Sequence, residues 1–142
     1  MRLVLFVIAI FVATDALADE LPPPEHALEL RPGERVALLG GTFIERMLVH
    51  GFLDTALTAS HPDRDLVFRN LGWSGDNVWG HSRAVFNAPD KGFERLIRDL
   101  KLAAPTLILV HYGDNEAHGG EQGLEQFQNG LNRLLDDLAT AT

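Results

Sequence analysis

Apolar residues recur along this chain in two periods that alternate. Val36-Ala37-Leu38-Leu39 is an unbroken apolar run, short enough for a strand buried on both faces. Gly40-Gly41 turns the chain, and from Thr42 to about Ser60 the residues Ile44, Met47, Leu48, Phe52, Ala56 and Leu57 keep a three-to-four spacing. That spacing predicts one amphipathic helix, ended by His61-Pro62-Asp63. Leu66-Val67-Phe68 predicts a second strand, with Asn70 to Asn77 as its glycine-bearing exit loop. Residues 78–90 show no period, and Pro89-Asp90 marks a helix entry. Phe93, Leu96, Ile97 and Leu100 carry a second helix, and Thr106 to Val110 after Pro105 a third strand. Leu124, Phe127, Leu131, Leu134, Leu135 and Leu138 form the stripe of a last helix.

Strand, helix, strand, helix, strand, helix is the order of an α/β protein with a parallel sheet and helices on both faces. Ligands of such sheets sit beyond the carboxyl ends of the strands. Three loops reach that edge: 40–42, 70–77 and 111–116. Thr42 brings a hydroxyl and a backbone N–H to it. Alone, Thr42 reads equally well as a helix N-cap, Gly72 as a turn glycine and Asn115 as a turn residue.

The N-terminus follows another pattern. Arg2 precedes an almost continuous apolar run from Leu3 to Ala13, and Ala16-Leu17-Ala18 has the small-x-small form of a cleavage site. Residues 1–18 are therefore expected to be a signal peptide outside the fold, and the mature chain to be secreted or periplasmic without stable membrane insertion. Residues 19–33, with Pro22-Pro23-Pro24 and Pro32-Gly33, read as a stiff proline-rich lead-in. Residues 34–142 form the single domain.

Composition narrows the chemistry. The chain is 46% hydrophobic and 23% charged, ordinary for a globular protein. A net charge of −8 argues against nucleic acid as a partner. With no cysteine, thiolate zinc sites and cysteine nucleophiles are excluded. His111, Asp114, Glu116 and His118 lack a recognised metal-ligand spacing and read as solvated polar residues. Trp73 and Trp79 read as packing. Ser74 is a minor rival hydroxyl, and His111 or His118 a minor rival base. No metal and no cofactor is expected.

The three loops, taken in order, resemble the blocks of the SGNH, or GDSL-like, hydrolase superfamily. Gly40-Gly41-Thr42 falls where that family has Gly-Asp-Ser, with the serine as nucleophile. Gly72, within Asn70-Leu71-Gly72-Trp73-Ser74-Gly75, falls at the second-block glycine, whose N–H helps form the oxyanion hole. Asn115, within Gly113-Asp114-Asn115-Glu116, falls at the asparagine that donates a further oxyanion hydrogen bond. The stretches 69–76 and 130–135 resemble a planctomycete-type branch that tolerates threonine at the nucleophile position. The resemblance spans about residues 34–142. It implies a three-layer α/β/α, flavodoxin-like fold with strand order two-one-three-four-five, of which this chain supplies the first three strands.

It also implies ester hydrolysis. Thr42 attacks, Gly72 and Asn115 hold the oxyanion, and the substrate is a small-molecule or carbohydrate ester, carbohydrate acetyl groups included. Two features depart from the pattern. Gly41 and Thr42 replace Asp and Ser, and threonine's methyl group stiffens χ1. The family's fifth block, Asp-x-x-His, which supplies the base, occurs nowhere in the 142 residues. The expectation is thus a C-terminally truncated hydrolase, with the apolar third strand left as an unpaired edge. The alternative is a non-catalytic carbohydrate-binding or scaffold module built on the same fold. Gly40-Gly41-Thr42-Phe43 also resembles the start of adenylyltransferases, but the His-x-Gly-His cluster those enzymes need is missing: His50 is followed by Gly51 and Phe52.

Overall fold

The computed structural model describes residues 2–5 and 28–141. The expected cleavage site and most of the proline-rich lead-in lie outside the described residues.

The sheet is parallel and is built around β2 (Arg35–Gly40). Val36, Ala37, Leu38 and Leu39 are fully buried, because helices cover both faces of the strand. β2 pairs on one side with β3 (Val67–Asn70), setting Val36 opposite Phe68 and Leu38 opposite Asn70. On its other side it pairs with β4 (Leu107–His111), setting Val36 opposite Leu107 and Gly40 opposite His111.

Alternation along the strands sends side chains to two cores. Ala37, Leu39, Ile108 and Val110 meet Phe93, Leu96 and Leu100 of α3 (Asp90–Ala103) and Leu134 and Leu138 of α4 (Leu124–Ala141). Val36, Leu38 and Leu107 meet Ile44 of α1 (Thr42–His50), with Leu53 and Leu57 of α2 (Phe52–Ser60) packed alongside. The chain therefore forms three layers, helix, sheet and helix. The second connection runs back over β2, so two right-handed crossovers necessarily cover opposite faces.

Two expectations are corrected. The segment from Thr42 to Ser60 is two helices, because Gly51 takes the left-handed conformation (φ 60°, ψ 22°). Its N–H caps α1 by donating to the Met47 carbonyl at 2.8 Å. The apolar spacing continued through this break because one residue in the left-handed region bends the axis without interrupting the pattern. The second correction concerns the N-terminus. β1 (Arg2–Leu5) pairs in parallel with β4, from Arg2 opposite Leu107 to Leu5 opposite Val110, giving the sheet order β1-β4-β2-β3. Residues 2–5 thus belong to the sheet, and β4 is not an open edge. An unpaired apolar strand offers a row of unsatisfied N–H and C=O groups, and Arg2–Leu5 satisfies one side of it.

The segment expected to be irregular holds a 3₁₀ turn, His81–Ala84, which packs directly on α3. Gly92 of α3 allows this approach, since a Cβ there would run into the Gly80 carbonyl and lie 2.7 Å from the Ala84 nitrogen.

Candidate functional site

The carboxyl ends of β2, β3 and β4 deliver the three expected loops to one edge. Between them lies a small cleft of about 50 Å³. Gly41 and Thr42 line it from the first loop, Asp76 from the second, and His111, Tyr112 and Gly113 to Asn115 from the third.

Thr42 opens α1 and is exposed. It is not the N-cap. Gly41 holds that position and brings no side-chain cap, so the first N–H groups of the helix remain free of intrahelical partners. The Thr42 Oγ1 instead accepts a hydrogen bond from the Gly75 N–H at 2.8 Å. That bond fixes the hydroxyl's position, and its proton has no protein acceptor among the described residues. Gly41 suits the space available: a Cβ there would lie 3.1 Å from the Asp76 carbonyl and 3.9 Å from Asn115 Nδ2.

Asn115 reaches the same cleft. Its Nδ2 donates one hydrogen bond to the Asp76 carbonyl at 2.6 Å, which leaves the second amide proton. Gly72 does not line the cleft. Its N–H donates to Asn70 Oδ1 at 2.8 Å, while Asn70 Nδ2 donates to the Ile44 carbonyl at 2.6 Å. A Cβ on Gly72 would lie 2.7 Å from the Ile44 carbonyl carbon. Glycine is required here because the loop presses on the backbone of α1's first turn.

Beneath the cleft is an ionic network that the pattern of the sequence did not reveal. The buried Asp76 carboxylate accepts from Arg83 Nε at 2.6 Å and from the Tyr112 hydroxyl at 2.9 Å, both on Oδ2. Arg83 also donates to the Leu71 carbonyl at 2.7 Å. Asp76 Oδ1 is buried without a hydrogen bond among the described residues. Burial raises the Tyr112 pKa, and the Asp76 charge raises it further, so the phenol stays protonated and donating. Asp76 carried a signal as part of the second block. Arg83 carried none, because it lies in the stretch without periodicity.

The remaining polar residues separate clearly. Glu116 is a backbone clamp, accepting from the Val78 N–H at 2.7 Å and the Gly113 N–H at 3.1 Å. His118 is exposed, with Nδ1 3.2 Å from the Asn115 carbonyl. His111 packs its ring on Phe43 at 4.6 Å between centroids, and its buried Nδ1 lies 3.7 Å from Asp114 Oδ2. Ser74 is exposed beside the cleft's second loop. The guanidinium groups of Arg83 and Arg95 each lie over the Trp73 ring, at 5.8 and 5.7 Å from its centroid. The Trp79 indole lies on α4, where a Cβ on Gly130 would stand 2.7 Å from it.

Among the described residues no group of three or more His, Asp or Glu could hold a metal ion, and no helix is long and apolar enough to cross a membrane. Fold and site together define a parallel-sheet α/β protein with a polar cleft at the carboxyl edge of its strands. Compared with known family models, curated proteins and solved structures, the chain matches none.

Proposed function

We propose that the chain is an ester hydrolase of the SGNH type, with Thr42 as its nucleophile. One observation carries the reading. Thr42 and Asn115 come from different strand exits to the same small cleft, and the Thr42 hydroxyl serves no capping role in its own helix. The strand order β3-β2-β4, which is two-one-three in the order of the expected strands, supports it as well.

In this reading Thr42 Oγ1 attacks an ester carbonyl and forms a tetrahedral oxyanion. In the same reading the N–H groups at the start of α1 and the second Asn115 amide proton serve as its donors. One such donor typically contributes about 10²–10³ in rate. The Gly75 N–H holds Oγ1 in one place, which offsets the restriction that the threonine methyl imposes on χ1. Gly72 acts through the backbone, by letting the second loop close on α1. Small or carbohydrate-borne acetyl esters suit so small a cleft. A negatively charged protein has no attraction for nucleic acid.

Aryl acetate turnover and labelling by an alkyl fluorophosphonate test the reading. Turnover with the label on Thr42, both abolished in Thr42→Ala, is the expected result. A second reading has its own observation: the Gly72 N–H is already bonded within the protein, which suits a non-catalytic glycan-binding module. That reading gains if acetylated glycans bind without turnover and Thr42→Ala binds them equally well.

A further inference from the structure

A hydroxyl nucleophile needs a base. Two histidines lie near the cleft, His111 as the last residue of β4 and His118 beyond it, and the fold treats them differently. Along β4, Ile108 and Val110 face α3 and α4, while Leu107 and Leu109 face α1 and α2. Continued alternation turns His111 to the α1 side. There its ring rests on Phe43, the residue next to Thr42, at 4.6 Å and a 31° tilt. Across the ladder His111 is the partner of Gly40, so it stands beside the turn that presents Thr42.

The two ring nitrogens are then distinguished by surroundings. Nδ1 is shut off from solvent and faces the Asp114 carboxylate at 3.7 Å. The 16% of the side chain that stays accessible therefore lies on the rest of the ring. His111 and Thr42 line the same cleft, and His118 does not. A carboxylate at Nδ1 favours the tautomer with its proton there, leaving Nε2 as the acceptor.

We infer that His111 is the general base of this site, accepting the Thr42 hydroxyl proton at Nε2, with Asp114 as the residue that positions its ring. The inference rests on the hydrolase reading above. As the Thr42 O–H bond breaks, its proton passes to Nε2 and Oγ1 bonds to the ester carbonyl carbon. The imidazolium returns that proton to the leaving alkoxide as the carbonyl–oxygen bond breaks, which leaves an acyl ester on Thr42. Water, deprotonated by the same nitrogen, adds to the acyl carbon; the proton returns to Oγ1 and the carboxylic acid departs. Water is the only co-reactant. The contact with Asp114 strengthens in both steps, when the ring is charged.

The test is a pH–rate profile with an aryl acetate, together with fluorophosphonate labelling. It compares the full chain with His111→Gln, His111→Ala, Asp114→Asn and His118→Ala. Each variant is checked for its folded circular dichroism spectrum. In the full chain, kcat is expected to rise with pH through a single inflection. His111→Gln, which keeps the volume packed on Phe43, should lower kcat by about 10²–10⁴ with little change in KM and should lose the inflection. Added imidazole should restore part of the activity of His111→Ala. Asp114→Asn should lower kcat with little change in KM, because a neutral amide no longer steadies the imidazolium formed as the proton is taken. His118→Ala should match the full chain. If the full chain turns over and labels on Thr42 while both His111 variants keep rate and inflection, the base assignment is overturned and the hydrolase reading stands. If the full chain neither turns over nor labels, the hydrolase reading fails and the base assignment falls with it.

Discussion

On one face of the sheet, α3 and α4 bury Phe93, Leu96, Leu100, Leu134 and Leu138. On the other face, α1 and α2 together bury only Ile44, and α2 buries nothing completely. Leu48, Val49 and Phe52 are 70%, 71% and 76% exposed. Both helical layers have similar apolar spacing in the sequence, yet only one converts it into a closed core. The reason lies in the connections. β3 leads into α3 through a segment that buries Val78 and, in its ordered turn at His81–Ala84, Ala84 against the α3 side. α1 and α2 are two short helices meeting at a left-handed glycine, and each presents only two turns to the sheet.

The lightly packed face nevertheless carries the cleft, and its first turn is held by polar contacts. Asn70 binds the Ile44 carbonyl, Gly72 abuts the same turn, and the Trp73 N–H donates to the Gly40 carbonyl at 3.0 Å. The difference between the faces therefore separates two tasks. Apolar burial against α3 and α4 holds the domain together, and backbone hydrogen bonds hold the start of α1 in register with the other loops.

The largest effect that sharpens this comparison is expected at the ionic network on the α3 side. Asp76→Ala leaves the buried Arg83 guanidinium unpaired and should lower unfolding stability by about 3–5 kcal/mol, read as a lower urea midpoint. A loss below about 1 kcal/mol would mean that the network is solvated in solution. Next comes a matched pair of truncations. Leu134→Ala, in the closed core, should cost about 2–5 kcal/mol. Leu57→Ala, half-buried under α2, should cost less than about 1 kcal/mol. Equal losses would break the distinction between the faces.

The smallest effect is a dependence on pH. Tyr112 is the one tyrosine of the chain, so phenolate absorbance reads it alone. Its pKa in the folded protein is raised above the ordinary value of 10.0. Its contribution is thus complete below pH 10. Above it the unfolded chain loses a proton that the native chain keeps, and stability falls by about 1.4 kcal/mol per pH unit until the native phenol also ionises. Tyr112→Phe should remove that part of the alkaline slope. Phenolate absorbance appearing near pH 10 before unfolding would show the hydroxyl to be solvated.

The strands β2, β3 and β4, the last two helices and the meeting of three loops at one edge were legible in the sequence, because each rests on a local period or a local turn signal. Thr42 and Asn115 were found by block resemblance and stand in one cleft. What was not legible depended on contacts that no apolar period encodes. The N–H of Gly72 is taken by Asn70, a competition that no spacing reveals. Arg83 finds Asp76 seven positions back, by way of a turn with no period. Gly51 was visible as a residue but silent as a break, since the apolar stripe runs on through it. β1 escaped because an apolar run near a basic start reads as a leader, and its ladder depends on the free side of a strand near the other end of the chain.

That ladder fixes an order of events. Arg2–Leu5 is synthesised first, yet its partners at 107–110 emerge about a hundred positions later, so closing it carries the entropy of a long loop. β2, β3 and β4 can assemble over shorter separations and be in place before β1 arrives. Residues 2–5 consequently stay uncommitted until Leu107–Val110 have been made, and their edge of the sheet closes only after the other strands have found their neighbours.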